Sequence, residues 1–211
     1  MATTILKRLW KNEYFQTAVM IILVIVIVLG FWYGSQVILK SEYPALAVAS
    51  GSMCITQHME CDGWSHPFDH TLHIGDLIIV QGIAPEDIHA APYPDGDIIV
   101  FRKVVGSGDD LIVHRAINKT EIGGSIFITT KGDGNSGPDS AMVPGEMVVG
   151  KVIARIPWLG HLALFMRTYS GIFVIVLIVG VLIVLEFVIP MLTKNEDEDE
   201  PEKSEQKPPE T

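Results

Sequence analysis

The chain has 211 residues and a formal net charge of -10, with 25 acidic side chains against 15 basic ones. That balance excludes nucleic acid as an expected partner, because a phosphate backbone is held by a surplus of Lys and Arg. The acidity is uneven: from Lys194 to the end eight acids face three lysines, half of the net charge, and residues 191–211 read as a disordered acidic cytoplasmic tail that cannot form a core.

Lys7, Arg8 and Lys11 precede an uncharged run over residues 17–39, TAVMIILVIVIVLGFWYGSQVIL, which as a helix is long enough to cross the roughly 30 Å hydrocarbon core. Trp32 and Tyr33 fall toward its far end, where amphipathic rings favour the interface. The basic residues predict that 1–16 stay in the cytoplasm and that the domain over 40–168 lies outside. Ala47-Val48-Ala49 has the small-x-small form of a signal-peptide cleavage site. The apolar run, however, exceeds the ~7–15 residues of a signal core and ends well before that site, so an uncleaved anchor is expected.

About 130 residues separate the two long apolar runs, the size of one ordinary domain. Within them Ala45 to Ala49, Leu77 to Val80, Ile98 to Phe101, Leu111 to Val113, Ser125 to Thr129 and Met147 to Ile153 are short β-branched runs. Clusters of Gly, Pro, Asp and Asn separate them, which predicts a mainly β fold, a barrel or sandwich. A second apolar segment over 169–190 is also long enough to span. Glu186 near its end can reach the interface and is assigned no function. With both segments spanning, both termini are cytoplasmic.

Chemistry-bearing residues fall in three blocks. Ser50-Gly51-Ser52-Met53 presents hydroxyls on a small-residue turn, Val113-His114-Arg115 supplies a histidine, and Thr130-Lys131-Gly132-Asp133 with Pro138-Asp139 supplies carboxylates. A serine hydroxyl becomes a useful nucleophile only when a neighbouring base takes its proton, and a carboxylate can orient a histidine base. Each block also has a plain reading: Ser and Gly are turn formers, a strand histidine can be structural, and Asp among Gly, Asn and Pro is ordinary turn composition. Lys103, Lys119 and Lys131 are solvated lysines on this reading rather than a base.

Together the blocks resemble signal peptidase I, specifically its archaeal and endoplasmic-reticulum branch. The matches run from Ala49 to Ile153, and include Gly75-Asp76 and Gly96-Asp97 before apolar stretches. The resemblance implies that Ser52, immediately before Met53, attacks the peptide bond. It also implies that His114 stands where the bacterial branch has a lysine base, with Asp139 as the orienting carboxylate and Asp133 as a supporting one. Ser50 would help shape the oxyanion site, and an extended substrate would pair beside the Ala45 to Ala49 strand, bound at Ala47 and Ala49, with shallow pockets that admit Ala-like side chains. The implied protein is a multi-pass enzyme of the cell membrane with an extracytoplasmic catalytic domain. It needs no cofactor, and its partners are signal-peptide-bearing preproteins, membrane lipids and the protein-export machinery. The alternatives are a membrane-tethered β-domain that binds envelope partners without catalysis, and a peptidase for a narrow class of precursors.

The family pattern is broken after Met53, where Ile55 replaces a usual proline and an insertion over 54–73 carries both cysteines and four of the seven histidines. Two cysteines so close fit one local disulfide, Cys54 with Cys61, in an oxidising compartment. Zinc held by Cys54, His58, Cys61 and one of His66, His70 or His73 is chemically conceivable, but the standard ligand spacing is missing.

Overall fold

The computed structural model describes residues 13–55, 71–103 and 110–188. The basic N-terminus, most of the 54–73 insertion and the acidic tail lie outside the described residues. The chain divides into two compact units, Met1–Leu162 and Ala163–Thr211.

The first unit opens with helix α1, Glu13–Leu39, of which Phe15–Leu39 is long and apolar enough to cross a membrane with none of the span buried inside the protein. A helix that is apolar all round and unburied has no amphipathic stripe to direct onto a core, which is the pattern of a membrane span. After α1 come strands β1 (Ala45–Ala47), β2 (Leu77–Gln81), β3 (Ile98–Arg102), β4 (Leu111–Ile122), β5 (Ser125–Lys131), β6 (Val143–Pro144) and β7 (Val148–Ile156). They form one seven-stranded sheet in the order β1-β2-β7-β3-β4-β5-β6, and every pairing is antiparallel. The mainly β expectation therefore holds, with all strands on a single ladder.

Side-chain alternation explains the core. Val100 joins one cluster with Val48, Met53, Leu72, Ile78 and Val80, while its neighbours Ile99 and Phe101 join another with Ile88, Ala116, Ile128 and Val143. Successive strand residues point to opposite faces, so β3 is buried on both. That is why Ile98 to Phe101 is an unbroken apolar run instead of an alternating one. β4 outruns its predicted span because its second half is polar and exposed. It is held there by a two-residue hairpin at Gly123 and Gly124, both at positive φ, a turn whose twist matches the strands it joins.

The second unit contains helix α3, Tyr169–Ile183, preceded by α2, Leu159–Met166, which begins within the first unit. The Thr168 hydroxyl caps α3 by accepting from the Gly171 N–H at 3.0 Å, which satisfies one of the free donors at a helix start. Tyr169–Glu186 is the second stretch long and apolar enough to cross a membrane, and a π-helical turn over Val184–Val188 closes it. α2 escaped the sequence reading because it is short and follows directly on β7.

The Gly75-Asp76 pair extends the β1 edge toward the serine turn. Gly75 N–H donates to the Val48 carbonyl at 2.9 Å, and Val48 N–H returns a bond of 2.9 Å to the Asp76 carbonyl. Gly75 sits at φ +86, and a Cβ there would lie 2.0 Å from the His161 imidazole. Left-handed backbone and this close approach both demand glycine. Gly75→Ala is expected to destabilise the first unit by about 2 kcal/mol or more in urea titration; an unchanged midpoint would show that the loop relaxes freely.

Candidate active site

The serine block folds as a single 3-10 turn, Gly51–Met53, entered through Ser50 in an extended conformation. Met53 is 1% exposed and packs into the core with Val48 and Leu72. Burying that side chain fixes the turn and leaves the neighbouring Ser52 hydroxyl partly exposed. The Ser50 and Ser52 hydroxyl oxygens are 3.4 Å apart.

His114 sits on β4 opposite Ile99 of β3, its ring edge-on to Phe101 at 6.3 Å between centroids. Its Nε2 lies 3.1 Å from Ser52 Oγ, and its Nδ1 lies 2.6 Å from Asp139 Oδ2. The same carboxylate oxygen accepts from the Thr130 hydroxyl at 2.6 Å, while Asp139 N–H donates to the Thr130 carbonyl at 2.8 Å. Thr130, fully buried at the end of β5, thus grips Asp139 through both backbone and side chain. A histidine that donates Nδ1–H to a carboxylate presents the Nε2 lone pair outward, where it can accept a serine proton. Ser52, His114 and Asp139 are brought together in one hydrogen-bonded row.

Asp133 is placed elsewhere. Its carboxylate receives a two-pronged fork from Arg115, Nε to Oδ1 at 2.8 Å and Nη2 to Oδ2 at 2.6 Å, and both side chains are almost fully buried, 3% and 2% exposed. Arg115 also donates to the Pro94 and Gly96 carbonyls and stacks its guanidinium over Tyr93. Asp133 Oδ2 lies 3.0 Å from the Thr71 hydroxyl, which also contacts the Met53 carbonyl. Next to it Gly134 N–H donates to the Ser52 carbonyl at 2.9 Å. A Cβ on Gly132 would meet that carbonyl at 2.5 Å, so the Thr-Lys-Gly-Asp loop needs its glycine to close on the serine turn.

The insertion returns into the core. Thr71, Leu72 and His73 are buried, and His73 lies beside Asp76 and Arg155. Cys54 is disulfide-bonded, which removes it as a thiolate ligand for zinc. Cys61, the chain's other cysteine, and His58 lie outside the described residues. No group of three or more His, Cys, Asp or Glu is arranged to hold a metal among the described residues. Of the lysines, Lys119 donates to the Glu86 and Ile88 carbonyls, and Lys131 pairs on β5 across from Arg115.

A cleft of about 320 Å³ runs beside Ser52, with Ala47, Val48, Ala49 and Ser50 on one wall and Leu111 to His114 on the other. β5 pairs with β4 only from Arg115 onward, so no strand of the described residues covers this edge of β4 before that point. The cleft therefore pairs a wall of small side chains, Ala47, Ala49 and Ser50, with larger apolar ones from β4.

A serine, a histidine and a carboxylate in sequential hydrogen-bond contact beside a cleft form an arrangement that can activate a serine hydroxyl. Comparison with curated proteins gives homologues that are catalytic subunits of the signal peptidase complex. SEC11C of Homo sapiens is 28% identical over 172 residues, covering 78% of each chain. SEC11C of Rattus norvegicus is 26% identical over 190 residues, 86% of this chain and 88% of the relative. SEC11 of Verticillium alfalfae is 26% identical over 166 residues, covering 74% and 83%. No protein-family model matches the sequence. The resemblance carried by the three motif blocks thus extends to homology over most of the chain.

Thr130 and Thr71 are the residues sequence reasoning missed; a threonine in a β-rich chain carries no signal of its own. Removing one partner of a buried ion pair leaves a charge stranded, so Asp133→Ala is expected to cost about 3–5 kcal/mol of folding stability. Asp139 is 25% exposed, and Asp139→Ala is expected to cost less, about 1–3 kcal/mol, because it strips the partner from the buried Thr130 hydroxyl and from His114 Nδ1. Equal losses in urea titrations of the two variants would contradict this division.

Proposed function

We propose that this chain is a membrane-anchored serine endopeptidase that removes N-terminal signal peptides from exported preproteins after a small-x-small site. The observation that carries the proposal is the Ser52–His114–Asp139 row in a chain homologous to signal peptidase catalytic subunits. His114 Nε2 takes the Ser52 proton as Oγ attacks the scissile carbonyl. The tetrahedral intermediate collapses, His114 returns the proton to the departing nitrogen, and the signal peptide remains esterified to Ser52. Water, deprotonated by the same Nε2, then releases it. Asp139 holds the imidazole in the tautomer this requires and favours the imidazolium that forms. Asp133 supports the site indirectly, through Arg115. The Ser52 N–H and the Ser50 hydroxyl are the donors for the developing oxyanion.

The cleft supports an extended substrate. A strand lying between Ala47 to Ala49 and the free edge of β4 would gain main-chain hydrogen bonds, while the Met53, Leu111 and Ile112 side chains that share the cleft with the alanines would limit it to small residues. Both apolar spans cross the membrane on this reading. Residues 1–16 and the tail are then cytoplasmic, and the domain over 40–168 faces the other side. Lipids and the export machinery are the expected neighbours, and no cofactor enters the chemistry. Anchoring enzyme and signal helix in the same layer delivers the scissile bond to Ser52 with much of the association entropy already removed.

Cleavage of a fluorescent precursor by membranes containing the full chain tests this. Ser52→Ala and His114→Ala are each expected to lower kcat by about 10⁴-fold or more while the protein still inserts. Asp139→Ala is expected to lose more activity per folded molecule than Asp133→Ala. Undiminished cleavage by Ser52→Ala would remove the nucleophile assignment and favour a tethered binding domain.

A further inference from the structure

A second cavity borders His114. It measures about 220 Å³ and lies toward the Asp139 side of the imidazole, lined by Phe101, Lys103, Ile112, Ser140 and Ala141. The strand register explains its composition. Phe101 pairs with Ile112, and Lys103 continues the ladder by donating its N–H to the Asp110 carbonyl at 2.9 Å. Residues two apart share a face, so Phe101, Lys103, Ile112 and His114 all look to the same side of the sheet. Ile112 and His114 also line the cleft beside Ser52, so the two cavities adjoin along these side chains.

We infer that this second cavity receives the first residues of the mature chain, those that follow the cut bond, and that Lys103 makes it favour an acidic side chain there. The inference rests on the peptidase reading above. In that reading the departing nitrogen takes its proton from His114 Nε2, so the mature chain begins within hydrogen-bond reach of the ring. The wall from Ala47 to Ser50 is taken by residues before the cut. The chain after it leaves past His114, and the adjoining space on that side is this cavity.

Its chemistry fits one or two modest side chains. Ser140 and Ala141 are small, and Phe101 and Ile112 offer an apolar floor. Two charges face the cavity. The Asp139 carboxylate already accepts from His114 and Thr130. Lys103 is half-exposed, and among the described residues it is paired with Asp110 at 4.0 Å, itself 76% exposed. A solvated pair this long contributes little and exchanges readily for a substrate carboxylate. The preference for an acid should accordingly be a few-fold, and it should follow the sign of the charge at position 103.

The test is a precursor library in which Ala-x-Ala before the cut is fixed and the two residues after it are varied. Relative kcat/KM is read by mass spectrometry for the full chain in membranes. The unaltered enzyme is expected to favour Asp or Glu over Lys after the cut by about threefold, and Lys103→Glu to reverse that order. Ala141→Trp, which fills the cavity, is expected to slow precursors with bulky residues after the cut by about tenfold, with Gly and Ala precursors little changed. A second library varied before the cut should give the same small-x-small preference in all three proteins. Identical profiles after the cut in all three, or changes confined to positions before it, would overturn the inference while leaving the peptidase reading intact. Failure of the unaltered chain to cleave any precursor would instead overturn that reading, and this inference with it.

Discussion

The buried fork between Arg115 and Asp133 is the constraint on which the site depends. Three segments distant in sequence meet there: β4, the loop after β5 and the turn that carries Ser52. Arg115 follows His114 on β4, so its side chain takes the opposite face of the strand, away from the imidazole. From that face it holds the loop of Gly132 to Gly134, whose backbone bonds to the Ser52 carbonyl and whose acid reaches Thr71. The charge pair thereby ties the strand of His114 to the turn of Ser52 without touching the imidazole or the hydroxyl. A buried ion pair adds little net stability over an apolar pair of the same shape, but it tolerates only one geometry. A hydrolase whose hydroxyl must stay within hydrogen-bond reach of its base gains from that intolerance.

The same loop then supplies Asp139, whose carboxylate meets His114 Nδ1. Between Asp133 and Asp139 the chain passes through Gly, Asn, Ser, Gly and Pro, and it returns so that Asp139 folds back on Thr130. Two acids six residues apart therefore have different environments. One is sealed against a guanidinium, while the other is partly open and aimed at an imidazole. Their separation follows from the backbone: Thr130 to Lys131 is still strand, and the turn that begins at Gly132 reverses direction before Asp139.

Much of this was legible in the sequence. The two membrane-length runs and six of the seven strands are visible because apolar and β-branched residues cluster between turn formers. The order of Ser52, His114 and Asp139 emerged from three short blocks that are unremarkable singly. The partner of Asp133 was not legible, because an ion pair between residues 115 and 133 is a tertiary contact that strand periodicity does not encode. Thr130 stood in the carboxylate block with no role of its own, and the second half of β4 lay beyond the expected strand. The insertion breaks the family pattern, yet its last residues, Thr71 to His73, are core residues that brace the serine turn. The membrane reading also bounds the site: Ser52 follows Leu39 by thirteen residues, so a fully extended chain keeps it within about 45 Å of the end of α1, and pairing of β1 with β2 shortens that reach.

The most direct measurement is to label the proposed nucleophile covalently. The full chain in membranes would be reacted with a phosphonate that carries an Ala-x-Ala peptide, and the modified residue located by peptide mass spectrometry. The account predicts a single adduct on Ser52, much slower to form in His114→Ala. An adduct on Ser50 or another hydroxyl, or equal labelling of Ser52 with and without His114, would contradict it.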